Sequence, residues 1–510
     1  CDGVMVTREE NGETGTLGVK ALHNFVDAPG TSDEVIGFLG ECERKTISGE
    51  CGSPYIGFPP MGPVLLGMHT IGGLTEAVVA LHVPIEDVKE ARKQLRAELV
   101  VPRAFEIPRP RGVKQSMDEL HAKSVFRYIE KGTATVYGSH KAHRSGGRSH
   151  VSKTYIYDDI VDLGYEDKFA APVLNHWQPW RQAAIDIMGQ QHTVNAQIVD
   201  ECAQAFLDDI LNELPEGALD EVRILTVDEA VNGLPGVKYI DRMNLNSSMG
   251  FPWNKSKRNF CEDLGEYEHW TNYVKMSEEI LDEVEHIRAL YRQGIRSNAV
   301  FRAHQKDEVI TKLKALAMKT RIFAGGSGPL GIVMRQYYLS LVRVIQKYKT
   351  VFEAAPGTNA TSVEWCQFYH WLTEFGPEWM IAGDFKYFDK NQDPTFMLAA
   401  FWILEQLLER AGIPEEIMVE IRTNKYDICF PVTEFNGDFV CFWGSNPSGQ
   451  ILTVIINCLV NSIYMRYAWR MGGNEVKKFR QFVRLLTYGD DNIMGVDPKF
   501  KDLFNHCVIQ

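Results

Sequence analysis

None of the ten cysteines forms a CxxC pair, and no zinc-like cluster of Cys and His is visible. That excludes a zinc ribbon and a disulfide framework, and it points to a reduced, cytosolic compartment. Positive charge is in deficit: 54 Lys and Arg face 67 Asp and Glu, a net charge of −13. A protein that coats nucleic acid over its whole surface is disfavoured, while a basic channel inside an acidic shell is not. Uninterrupted apolar runs are also lacking. The longest candidate, Ile451–Trp469, carries Asn457, Asn461, Ser462 and Arg466. A membrane-spanning helix seldom holds that many polar groups, so the stretch reads as a buried helix. No internal repeat or low-complexity tract is present. There is no initiating Met and no signal peptide; Cys1 opens the chain and Gln510 closes it. Both ends read as cuts in a longer product.

What is present is ordinary globular composition, 45% hydrophobic and 24% charged, over 510 residues. That length calls for two or more domains. Residues 1–85 hold short Gly-, Val-, Ile- and Thr-rich runs with frequent turn signals, the pattern of β-barrel hairpins. Ile85–Leu99 has a helical pattern, and residues 100–115 are Pro- and Arg-rich like a linker. The boundary is therefore expected within 86–115, with a helix-dominated domain over 116–510. Helices are expected at Ala196–Leu214, Ser277–Gly294, Gly331–Lys349, Thr395–Ala411 and Gln450–Met471. Trp379–Asp384 and Phe482–Tyr488 read as short buried strands that run into aspartates.

Two strands that each deliver carboxylates at one end can build a two-metal site for phosphodiester formation. The first runs Ile381-Ala-Gly-Asp384 and continues to Asp389; the second ends Tyr488-Gly489-Asp490-Asp491. Gly489 permits a tight turn between strands. Alone, a Gly-Asp-Asp is a surface turn. Between the two elements, however, Asn446-Pro-Ser448-Gly449 feeds a helix that carries Thr453 and Asn457 on one face. A Ser-Gly turn offers N–H groups and a hydroxyl to a ribose or backbone. Asn457 can donate and accept, which suits a ribose 2′-hydroxyl. Upstream, Lys306-Asp-Glu308, Lys312, Lys314 and Lys319-Thr-Arg321 string cations along a loop or hairpin. Such cations can lead a triphosphate into a site that carboxylates alone would repel.

This ordered set resembles the RNA-directed RNA polymerases of picornavirus-like positive-strand RNA viruses, over roughly residues 115–510. Lys306-Asp-Glu to Arg321 is similar to the family's motif F. Asp384-x4-Asp389 is similar to motif A, Ser448-Gly449-x3-Thr453-x3-Asn457 to motif B, and Tyr488-Gly-Asp490-Asp491 to motif C. Ser247-Ser-Met-Gly250-Phe-Pro-Trp253 resembles a fingers signature. The resemblance implies an α+β right hand of fingers and palm. Asp384, Asp490 and Asp491 would hold Mg2+, with Mn2+ as an alternative. Asp389, Ser448, Gly449, Thr453 and Asn457 would select ribose, and Lys306, Lys319 and Arg321 would hold the triphosphate. Only 19 residues follow Asp491, so motif D's basic residue, motif E and the thumb are expected to be missing. RNA template and primer, NTPs and other parts of the viral polyprotein are the expected partners. The expected location is the host cytoplasm, at membrane-associated replication complexes, with no membrane segment in this chain. A reverse transcriptase is the alternative within the same class, but Asp389 and Asn457 welcome the 2′-hydroxyl. A non-catalytic RNA-binding scaffold is the alternative from another class.

Gly49-Glu-Cys51-Gly52 presents a cysteine between glycines, as an oxyanion hole requires, and His69 follows eighteen residues later. This spacing is similar to the C-terminal barrel of 3C-like cysteine proteases, which have a chymotrypsin-type fold. Cys51 would be the nucleophile and His69 the glutamine-pocket histidine. His23 is expected to be a loop or surface residue. With no base to form the thiolate, no proteolysis is expected from this piece. Gln115-Ser116 resembles a cleavage junction of such proteases.

Overall fold

The computed structural model describes residues 3–82 except 9–13, 27–35, 47–49, 51, 59–63 and 72–75. It also describes scattered positions from 84 to 89, and residues 120–509 except 130–133, 141–146, 189–193, 386 and 506–508. Cys51, most of the Ile85–Leu99 helical reading, the 100–115 linker and Gln115-Ser116 lie outside the described residues. The chain divides into two compact units, Cys1–Val101 and Pro102–Gln510.

The first unit is a closed six-stranded antiparallel barrel. Its strands are β1 (Gly3–Arg8), β2 (Thr14–Val26), β3 (Ile36–Cys42), β4 (Pro54–Gly57), β5 (Val64–Ile71) and β6 (Ala77–Leu81), in the order β1-β2-β3-β6-β5-β4. Alternation of side chains fills the interior, as in β6, where Val78 and Ala80 are buried. They pack with Met5, Leu17, Val19, Cys42 and Tyr55. His23 lies on β2, opposite Leu39 of β3 rather than in a loop.

The second unit contains two sheets that matter for function. One has five strands: β7 (Ala134–Ser139), β8 (Phe301–Gln305), β9 (Ile322–Gly325), β11 (Val432–Phe435) and β12 (Asp438–Phe442), ordered β9-β8-β11-β12-β7. The other has three antiparallel strands: β10 (Met380–Asp384), β13 (Val483–Tyr488) and β14 (Asp491–Val496), with β14 in the centre. Helices α1 (Ala196–Glu213), α2 (Glu278–Arg292), α3 (Gly328–Lys347) and α4 (Pro394–Arg410) lie where the periodicity predicts them, within a few residues, and α5 (Glu415–Cys429) is a further helix outside those expectations. Helix α4 begins where Asp393 accepts a hydrogen bond from the Thr395 N–H and Pro394 occupies the first turn.

Helix α6 (Thr453–Met471) packs across the three-stranded sheet. Met465 and Trp469 meet Val483, Leu485, Met494 and Val496. The opposite face of the sheet is covered by Phe368 and Leu372, which meet Leu486. The period-2 alternation of β13 thus sends Leu485 and Leu486 into different apolar clusters. Two expectations need correction. Helix α6 starts at Thr453, because residues 450–452 form a turn. Strand β10 is not buried along its length: it is a sheet edge, and Ala382, Gly383 and Asp384 face solvent. Among the described residues no helix is long and apolar enough to cross a membrane.

Candidate active site

The aspartate turn is built by strand pairing. Tyr488 and Asp491 are Cα partners across β13 and β14, so Gly489-Asp490 forms a two-residue turn. Gly489 has φ +68°, a region that glycine enters without steric cost. On the other side of β14, Asp384 is the Cα partner of Asp491. Two segments more than a hundred residues apart therefore place Asp384, Asp490 and Asp491 at one end of one sheet, all exposed. The strands meet closely there: a Cβ on Gly383 would lie 2.9 Å from Asn492 Oδ1.

Partial burial, the Asp490 charge and the Asp384 charge together push the Asp491 carboxyl above its ordinary range. As the side chains stand, no three His, Cys, Asp or Glu groups among the described residues converge tightly enough to hold an ion. Mutual repulsion of like charges opposes such convergence until a counter-charge arrives. The donor set of exposed carboxylates fits a hard divalent cation whose remaining ligands are water and phosphate oxygens.

Beside the turn lies a hydrogen-bonded polar cluster. Asp389, part-buried in the short helix Phe388–Asn391, accepts a 2.6 Å hydrogen bond from Asn457 Nδ2. Asn457 Oδ1 in turn accepts from Gln392 Nε2 and Asn446 Nδ2, each at 2.6 Å. The Asn446 N–H donates to the Asp389 carbonyl at 2.7 Å. Burial lifts the Asp389 carboxyl, the Asn457 bond opposes this, and the charges of Asp490 and Arg321 act on it in opposite senses. Asp389 thus sits between the acidic turn and the basic hairpin. Gln392 has no place in the sequence motifs, and Asn446 figures there only as the residue that opens the Ser448-Gly449 turn.

Thr453 is turned away from this cluster. Its hydroxyl lies 2.8 Å from the Pro447 carbonyl and 2.9 Å from that of Gln450, and so closes the Ser448-Gly449 loop. In this structure the Thr453 hydroxyl serves the shape of its own loop. Ser448 and Gly449 are exposed. Gly449 pairs with Gly325, and a Cβ there would meet the Ala324 carbonyl oxygen at 2.4 Å. Gly250 of the fingers signature makes a similar approach to the Gly326 carbonyl, 2.5 Å from a would-be Cβ. Both loops therefore dock on residues 324–327 with only backbone between them.

Those residues end the basic hairpin. Strands β8 and β9 pair antiparallel, and the Lys306 N–H donates to the Arg321 carbonyl at 2.8 Å, so residues 307–320 form an excursion from the hairpin. Lys306 Nζ (2.9 Å) and Arg321 (3.5 Å) converge on Glu308, and Lys319 is exposed. Asp307 turns instead to Ser149 and His150, and Lys312 to Asp167.

Beneath the turn is a buried ionic cluster with no warning in the motifs. Glu353, with 0% exposure, takes Arg466 at 2.8 and 2.9 Å and Arg480 at 2.9 and 3.2 Å. Its carbonyl accepts from both the N–H and the hydroxyl of Thr487 on β13, at 2.8 and 2.7 Å. The signal for Arg466 was its place in an otherwise apolar helix, and that place alone names no partner.

In the first unit, His69 on β5 is buried, with Nδ1 3.4 Å from Tyr55 Oη. Burial pushes its pKa down, so the ring is held neutral. The Gly52 N–H donates to the His69 carbonyl at 2.8 Å, and Gly52 has φ +91°. The loop that follows position 51 is therefore tied to the strand that carries His69.

Acidic strand ends on a three-stranded antiparallel sheet, backed by a helix and with a basic hairpin whose Arg321 charge is felt at Asp389, define a polymerase palm. The chain belongs to the viral RNA-dependent RNA polymerase family, whose model matches residues 150–508. The replicase polyprotein of Drosophila C virus (strain EB) is 31% identical over 309 residues, which is 56% of this chain and 17% of that polyprotein. The genome polyprotein of Human klassevirus 1 is 24% identical over 477 residues, 92% of this chain and 17% of the polyprotein. This chain thus spans a small part of its relatives' length. The Sicinivirus 3Dpol RNA dependent RNA polymerase matches in fold with a TM-score of 0.56, at 21% identity over 69% of each chain.

Proposed function

We propose that this chain carries the nucleotidyl-transfer centre of a replicase that copies RNA from NTPs by a two-metal reaction. The observation that supports it most is the register that makes Asp384 and Asp491 neighbours with Asp490 in the adjoining turn. In the reaction the 3′-oxygen of the growing RNA bonds to the nucleotide α-phosphorus. The bond from that phosphorus to pyrophosphate breaks, and the hydroxyl proton leaves. Divalent ions, Mg2+ or Mn2+, when bound, supply charge neutralisation and acidify the attacking hydroxyl. Asp384 and Asp490 would hold them, with Asp491 assisting. Lys306, Lys319 and Arg321 attract and orient the triphosphate. Ser448 and Gly449 present the loop that faces sugar or template.

Asn457 and Asp389 would read the ribose. Asn457 is already oriented by three hydrogen-bond partners, so a 2′-hydroxyl meets a pre-set amide and carboxylate. Asn457→Ala is expected to lower the preference for NTP over dNTP about tenfold, the worth of one hydrogen bond. Single-nucleotide incorporation with matched ATP and dATP measures it; an unchanged ratio removes Asn457 from sugar selection. The overall reading is tested by divalent-dependent extension of an RNA primer on an RNA template. Incorporation of dNTP in preference to NTP would favour a reverse transcriptase instead.

For the first unit we infer the C-terminal barrel of a 3C-like cysteine protease, on the strength of the closed barrel and the neutral, buried His69. A neutral imidazole suits an uncharged glutamine amide better than an imidazolium would. This chain by itself is expected to leave a Gln-containing peptide uncut; measurable cleavage would overturn that expectation.

A further inference from the structure

The helix that carries Asn457 also grips the aspartate turn. Asn461 Nδ2, four residues on, faces three consecutive carbonyls of that turn: Gly489 at 3.2 Å, Asp490 at 3.1 Å and Asp491 at 3.4 Å. Its Oδ1 accepts from Asn492 Nδ2 at 3.2 Å. Cys458 lies beside it. Its Sγ accepts from the Gly489 N–H at 3.1 Å and lies 3.8 Å from the Thr487 carbonyl. Asn461 and Cys458 are both 0% exposed. The backbone from Thr487 to Asp491 is therefore held by two helix side chains, while the carboxylates of Asp490 and Asp491 face solvent.

A turn that displays two like charges beside a third needs such a restraint. Like charges on Asp384, Asp490 and Asp491 repel one another and push against the pairing that brings them together. Carbonyls bound to an amide resist that push without neutralising the charges. Asn457 and Asn461 lie on one helix face, about 6 Å apart along the axis. One rigid segment thus touches both the polar cluster and the acidic turn.

We propose that Asn461, seconded by Cys458, is a positioning residue that sets the metal-binding geometry of Asp490 and Asp491 through their backbone. The proposal rests on the reading of those aspartates as cation ligands. Its signature is a split between metal and sugar effects. In Asn461→Leu, which keeps the shape and removes the amide, Mn2+ binding to the full chain should weaken about tenfold, in keeping with the loss of a partner behind a metal ligand. Electron paramagnetic resonance of free Mn2+ reads this without any turnover. The Mg2+ concentration for half-maximal incorporation should rise by a similar factor, with the NTP to dNTP ratio unchanged. Asn457→Ala should give the opposite pattern. Cys458→Ser, which retains a donor and an acceptor, should stay near wild type, whereas Cys458→Ala should weaken Mn2+ binding in a chain with a normal thermal melt. Mn2+ affinity unchanged in both Asn461→Leu and Cys458→Ala overturns the proposal. It is equally overturned if Asn461→Leu does not fold and Cys458→Ala leaves Mn2+ binding unchanged. A wild-type chain that incorporates no nucleotide even with thumb sequence added, while these variants still weaken Mn2+ binding, supports the clamp and sinks the catalytic reading instead.

Discussion

Asp490→Asn is expected to reduce nucleotide incorporation about a thousandfold while leaving the chain folded. A carboxylate that helps bind a divalent ion contributes several kcal/mol to stabilising charge in the transition state. About 4 kcal/mol corresponds to a factor of about 10^3 in rate. The side chain is exposed at a turn and its backbone carbonyl faces Asn461, so the substitution disturbs neither core nor turn. It also removes one of the charges that lift the Asp491 carboxyl. The sign follows from that shift. A carboxyl with a raised folded pKa disfavours the native state once ionised, and relieving the repulsion makes the chain equally or more stable at neutral pH. A melt at pH 7 alongside primer extension separates the two effects. Incorporation within tenfold of wild type would remove Asp490 from the chemistry.

Glu353→Ala is the largest expected loss of stability. The carboxylate lies between two buried guanidiniums, and Arg466 also reaches Asp209 at 2.7 Å and covers the ring of Phe206 at 4.2 Å. Removing it leaves Arg466 and Arg480 in low dielectric without their shared counter-charge. Breaking a buried pair in this way costs about 3–5 kcal/mol, a large part of the 5–15 kcal/mol typical of a folded domain. Glu353→Gln keeps shape and some hydrogen bonding but not the charge, and should fall between wild type and alanine. Hydrogen exchange of the β13 and β14 amides resolves the second unit from the first. A loss below about 1 kcal/mol in the alanine variant would show that the arginines find other partners.

The same cluster predicts a pH dependence. Burial opposes the Glu353 charge, but Arg466 and Arg480 outweigh it and hold the carboxyl below its ordinary range. A depressed carboxyl gives its full stabilisation above the unfolded value, about 4.3. It loses that stabilisation as pH falls through the lower folded value. Wild type should therefore lose more stability than Glu353→Gln on acidification below about 4.3.

What could be read in the sequence was local. Gly489 between Tyr488 and Asp490 marks a turn because the required φ is open to glycine. The polar residues within 451–469 mark a buried helix rather than a membrane span. The spacing of Asp384, Asp389, Ser448, Asn457 and Asp490 carried the family. Partnership was not legible. Glu353 with Arg466 and Arg480, Asn461 with the turn carbonyls, and Thr453 with its own loop are fixed by which elements pack together. Periodicity shows which face of an element is apolar, but not which distant element covers it. A buried charge or amide finds its partner only once the chain closes, because leaving it unpaired costs more than any local preference can offset.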